Sequence, residues 1–201
     1  MAAEEKFWRW FRKNEATLFD FELDRERVFD KLSIALQKVH QNLAFEFGPK
    51  NDQGTKREFV ISACGIRDAF SSVVALATAA PPLDRWQVTA FRPRRWPLNS
   101  IQIADTKIDP DGVEFSLLDN GKIAGLHLYI PGYVETDVNY RQIGYLMLDE
   151  ALGEYDVETG VGLIKMFSFE TQSEFRRYPM TQLPELFDKH SRLKGRIGRP
   201  F

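Results

Sequence analysis

Twice along this chain the hydrophobic period switches from two to about 3.6 and back, which restricts it to a fold that mixes sheet and helix in a fixed order. In the first instance "LAFEFG" and "REFVISAC" alternate as strands, with the turn residues of "PKNDQG" between them. "IRDAFSSVVALATAAPP" then carries a helical stripe of Ile66, Ala69, Phe70, Val73, Val74 and Ala77 that stops at Pro81-Pro82, and "RWQVTAF" alternates again. In the second instance "VEFSLL" and "KIAGLHLYI" flank the hairpin signal "LDNG". "VNYRQIGYLMLDEALG" follows with Tyr140, Ile143, Met147, Leu148, Ala151 and Leu152 on one face and Gly153 placed as a C-cap, and "VGLIKMFSFE" closes the set as a strand.

Residues 43–92 and 113–169 therefore read as two ββαβ-like halves with no residue-by-residue repeat. The expectation is an α+β protein, a single domain over 1–201, with an antiparallel sheet built from the two halves and helices packed on one face. A one-sided sheet is expected because Ala124, Leu126, Leu128 and Ile130 form an apolar row opposed by Gly125, His127 and Tyr129, and Val113, Phe115 and Leu117 are opposed by Glu114 and Ser116. "SIQIAD" reads as a further strand, set off by the turn "DPDG". Residues 1–42 precede the halves as a helical pair. Phe7, Trp10, Phe11 and Leu18 share one face of the first helix. The second carries Val28, Leu32, Ala35, Leu36, Val39 and Leu43, with Asp24 as N-cap and Leu23 against Val28 as a hydrophobic staple. "MTQLPELFDKHSRL" reads as a short helix, and 195–201 as a tail.

Several functions are disfavoured by composition. Lys and Arg total 27 against 29 Asp and Glu, so the chain lacks the basic excess of a general nucleic-acid binder. Seven basic against two acidic residues from Phe175 onward, Lys194, Arg196 and Arg199 among them, leave a local patch for a nucleic-acid accessory role, with a solvated tail as the plainer reading. The single cysteine, Cys64, permits no internal disulfide, and no secretion signal or apolar run of the ~20 residues a bilayer needs is present, so a cytoplasmic, non-membrane protein is expected. The aromatic start "FWRWF" is read as docking on the sheet or on a second subunit rather than on lipid, given Glu4, Glu5 and Glu15.

Catalytic and metal chemistry leave few marks. His40, His127 and His190 lie far apart, and "DTKIDPDGVE" is a turn rather than a calcium loop, so no metal and no cofactor is expected. "GVG" at 160–162 enters a strand where a nucleotide cradle would leave one. Ser62 lacks a nucleophile elbow. Cys64, at a strand end before a helix, is a candidate nucleophile with His127 or His40 as base, or simply a small buried residue. Asp149, Glu150, Glu154, Asp156 and Glu158 gather where a helix ends; Glu150, Glu154 and Asp156 would serve a hydrolase, or form a solvated helix end that needs cationic compensation.

"TAFRPRRWPL" places Arg92, Arg94, Arg95 and Trp96 at the junction of the halves, with Pro93 ending the strand. Arginines there are expected to clasp acids of the second half. The run from Arg57 to Arg95, with Ala80-Pro81 through Arg94 fitting A-P-x-L-x-x-W-x-x-x-A-F-x-P-R, and the later "LDEALGEYDVE" resemble a family of uncharacterised bacterial proteins. The resemblance implies a bacterial cytosolic origin and supplies no activity. The reading that remains is a non-enzymatic protein-binding or regulatory factor, immunity-like in kind, engaging a protein partner or a second copy through Arg92, Arg94, Arg95, Trp96, His127, Tyr129, Glu154 and Asp156.

Overall fold

The computed structural model describes residues 1–120 and 123–193 and divides the chain into two compact units, residues 1–92 and 93–201. The α+β class and the N-terminal helical pair are as the sequence predicts.

The first unit runs α1 (Ala3–Phe19), α2 (Arg25–Gln37), β1 (Ala44–Phe47), β2 (Arg57–Ser62), α3 (Phe70–Thr78) and β3 (Trp86–Ala90), with sheet order β1-β2-β3. β1 and β2 pair antiparallel, as a hairpin must, but β2 and β3 pair parallel. A helical crossover returns the chain in its original direction, so each ββαβ half yields a mixed sheet in place of the wholly antiparallel one expected. The core is aromatic. Phe11 stacks on Phe59 at 5.1 Å between centroids, and Trp86 meets Phe47 at 4.9 Å and Phe11 edge-on at 5.3 Å.

Three local expectations fail here. Trp8, rather than Trp10, is the buried tryptophan of α1, its indole N–H donating to the Leu76 carbonyl at 2.8 Å, whereas Trp10 is half-buried. The staple does not form: Leu23 is 89% exposed, and no side-chain bond caps α2 at Asp24. β3 stops at Ala90 because Phe91 turns to φ 62°, where its N–H still reaches the Ile61 carbonyl at 2.8 Å; the strand has ended before Pro93.

The second unit opens with a small hairpin, β4 (Ile101–Ile103) and β5 (Thr106–Ile108), followed by a 3-10 turn at Pro110–Gly112 in which Asp109 accepts from the Asp111 N–H at 3.0 Å. β6 (Glu114–Asn120), β7 (Ile123–Ile130), α4 (Val138–Leu152), α5 (Glu154–Gly160), β8 (Val161–Ser168), β9 (Tyr178–Pro179) and α6 (Leu183–Leu193) complete it. The sheet order is β8-β7-β6-β9, with β7 and β8 parallel. The predicted apolar row of β7 is fully buried with Phe115 against Ile143, Met147 and Leu148 of α4 and Leu183 and Phe187 of α6. The Gly121-Lys122 turn of this hairpin and the basic positions Lys194, Arg196 and Arg199 lie outside the described residues. Among the described residues no helix is long and apolar enough to cross a membrane.

Candidate functional site

The strand pairing that buries one row of β7 displays the other. Register sets His127 beside Ser116 of β6 and Lys165 of β8, and Tyr129 beside Glu114 and Phe167. Because paired residues share a face, Glu114, Ser116, His127, Tyr129, Lys165 and Phe167 lie together opposite the helices. The expected open polar face is nonetheless partly closed. Ser116 is fully buried and Tyr129 is 2% exposed, because the chain from Phe169 to Arg177 folds back over them.

That strap is held by specific bonds. Phe169 donates its N–H to the Ile130 carbonyl at 3.0 Å. Arg177 donates to the carbonyls of Phe169 at 2.9 Å and Thr171 at 3.3 Å, pairs with Glu114 at 2.6 Å, and lays its guanidinium 4.1 Å from the centre of the Tyr129 ring. Phe167 stacks on Tyr129 at 5.6 Å. The Tyr129 hydroxyl donates to Ser173 Oγ at 2.7 Å and accepts from Ser116 at 3.5 Å, while Ser173 in turn donates to the Phe175 carbonyl at 2.9 Å. Tyr129 is thus a fixed wall whose polar capacity is spent.

His127 is different. It sits edge-on to Phe167 at 5.0 Å and to Phe175 at 5.7 Å, in a recess of about 230 Å³ that Tyr129, Ser173 and Glu174 also line. Partial burial, and then the charge of Lys165, hold its pKa below the usual histidine value, so it is neutral near pH 7. Among the described residues neither ring nitrogen has a hydrogen-bond partner, and no carboxylate orients the ring as a catalytic base requires. The neutral imidazole offers the recess one donor and one acceptor beside aromatic rings. Exposed apolar side chains flank it: on the same face, Ile123 of β7 is 38% exposed and Leu163 of the edge strand β8 41%, and Phe175 of the strap is 45% exposed.

The remaining predicted residues do not join this recess. Arg94 is a clasp within the second unit: it donates to Asp188 at 2.9 and 2.8 Å, to Asp156 at 3.0 Å and to the Leu152 carbonyl at 2.7 Å. Arg92 pairs with Glu46 of β1, in the first unit, a partner the sequence reading did not foresee, and touches Cys64 Sγ at 3.5 Å. Arg95 donates its backbone N–H to the Glu150 carbonyl at 2.8 Å, and Trp96 is 71% exposed.

The acidic run is no solvated helix end. α4 stops at Gly153, whose φ of 82° turns the chain, and α5 restarts at once, so Glu154 and Asp156 occupy a first helical turn, where the dipole favours them. Glu154 is fully buried, Asp156 binds Arg94, and Glu150 accepts the Asn99 N–H at 2.9 Å. Cys64 is exposed rather than buried, at φ 49°, with its N–H donating to Ser62 Oγ at 2.9 Å. His40, one proposed base, accepts the Asn42 N–H at its Nδ1. Among the described residues no three His, Cys, Asp or Glu side chains gather to hold a metal.

Sequence reasoning missed the strap. Its Phe175 and Arg177 stand in an irregular stretch with no period, and the only signal is the proximity of Ser, Phe and Arg after a strand. Comparison with family models, with curated proteins and with solved structures returned no match.

Proposed function

We propose that this protein is a non-enzymatic binding factor of the bacterial cytosol that engages a protein partner through the outer face of its second sheet. The observation that carries this reading is the strip of exposed apolar side chains, Ile123, Leu163 and Phe175, around a recess in which the neutral His127 keeps both ring nitrogens available. Exposed apolar side chains grouped about a polar anchor are what partner surfaces present, and aromatic residues are enriched at their centres. A side chain of the partner fits the recess, with His127 setting its hydrogen-bonding register. Catalysis fits less well, since the hydroxyls of Ser173, which lines the recess, and of Ser116, paired with His127 in the sheet, are bonded to Tyr129 and not to His127.

The test places a photo-crosslinking residue at Phe175 in the native host and identifies the adduct. It then measures retention of that partner by Leu163→Glu and Phe175→Glu, with Leu23→Glu in the first unit as control. The expected result is one recurring partner, lost at least tenfold in the first two variants and retained in the control. Unchanged retention in both face variants, or no recurring adduct, overturns the reading.

A further inference from the structure

We infer that the first unit carries a separate binding site, between α1 and α2, for a single-chain amphiphile with an anionic head, of the kind represented by a medium-chain carboxylate. This site is independent of the partner face proposed above: its lining residues belong to α1, to α2 and to Lys38, the residue that caps the C-terminus of α2. Ala3, Lys6, Phe7 and Trp10 recur along α1 at the three- and four-residue spacing that makes one stripe, and Ala35 of α2 and its C-cap Lys38, three residues on, continue the same spacing opposite. The two stripes enclose a cavity of about 480 Å³, within the range that small-molecule sites occupy. Phe7 and Ala35, both buried, form its floor. Alanine at positions 3 and 35 leaves open the space that larger side chains would fill where two helices pack.

The polar side chains that line this floor, those of Lys6, Lys38 and Trp10, are all donors. Neither the Lys6 nor the Lys38 ammonium meets a carboxylate or another acceptor among the described residues, and no carboxylate lines the cavity. By contrast, Lys50 in the same unit is paired with Asp20 at 2.7 Å. Trp10 repeats the pattern: its indole N–H has no acceptor among the described residues, while that of Trp8 is bound by the Leu76 carbonyl. An apolar floor with two unpaired ammonium groups and an indole N–H at its edge complements a ligand that is apolar along its length and anionic at one end. A free phosphate would leave the floor empty. A cationic or neutral chain of equal length would leave the lysines unanswered. The two alanines give room for a chain, not for a helix laid across the groove.

The full chain is titrated with sodium decanoate below its micellar range, following tryptophan fluorescence and, in parallel, heat of binding. Decan-1-ol and decyltrimethylammonium serve as neutral and cationic probes of the same length. Saturable one-site binding of decanoate is expected, weaker for the alcohol and absent for the cation. Trp10→Phe should remove the fluorescence change while heat is still released. Lys6→Gln with Lys38→Gln should weaken decanoate binding roughly tenfold, and Ala3→Leu, at a half-exposed position that tolerates the added bulk, should block it by filling the cavity. Equal affinity for the three probes, no saturation, or an affinity unchanged in both the lysine and the leucine variants overturns the site. So does an acidic peptide that binds there and that decanoate fails to displace.

Discussion

Loss of the Arg94 guanidinium should destabilise the second unit at several elements together. Arg94 makes three charge-assisted bonds to Asp156 and Asp188 and a fourth to the Leu152 carbonyl, and so ties the entry segment of the unit to α4, α5 and α6 at once. Replacing it with methionine keeps the stem and removes the guanidinium, leaving two neighbouring carboxylates and a carbonyl unanswered. Exposed ion pairs contribute ~0–1 kcal/mol, and breaking a buried pair costs about 3–5 kcal/mol. With Arg94, Asp156 and Asp188 at 29%, 20% and 38% side-chain exposure, the cluster lies between those limits. A loss of roughly 2–3 kcal/mol follows. For a unit near 100 residues each kcal/mol moves the midpoint by about 4 °C or more, so a Tm drop on the order of 10 °C is expected for the transition of the second unit. Differential scanning calorimetry resolves it, and Asp188→Asn, which leaves Asp156 and Leu152 in place, should show a smaller drop. If Arg94→Met melts within 2 °C of the parent, the clasp is ornamental and the reasoning from geometry to stability fails.

Two further outcomes can be checked. Burial, and then the charge of Lys165, hold the folded pKa of His127 below the ordinary histidine value of 6.5, so between those values the unfolded chain binds more protons; its contribution is complete above pH 6.5 and is lost as pH falls through the folded pKa. Urea unfolding at pH 7.5 and pH 5 should show a fall in stability that is smaller in His127→Gln, and an equal fall in both proteins refutes the assignment. Gly153→Ala forces a Cβ onto a residue at φ 82° where α4 hands over to α5, and should cost about 1–2 kcal/mol in urea; an unchanged midpoint would show that the junction relaxes freely.

Much of this fold is legible in residue order, because periodicity reports which side chains can share a face before any long-range contact is made. The β7 row of Ala124, Leu126, Leu128 and Ile130, the stripe of α2 and the stop of α4 at Gly153 are of this kind. So is the presence of His127 and Tyr129 on the opposite face. Tertiary structure decided what periodicity does not encode. Chain direction within each sheet followed from the helical crossovers, which made β2–β3 and β7–β8 parallel. The choice of Trp8 over Trp10 for the core followed from which ring could reach the Leu76 carbonyl. The acids after Gly153 changed meaning when the helix restarted and put Glu154 and Asp156 at a favourable end. The recess at His127 depended on an aperiodic strap, residues 169–177, whose bonds to Ile130, Tyr129 and Glu114 join positions far apart in sequence. Local pattern determines which faces exist; the covering of those faces is settled by contacts that exist only after the chain has closed on itself.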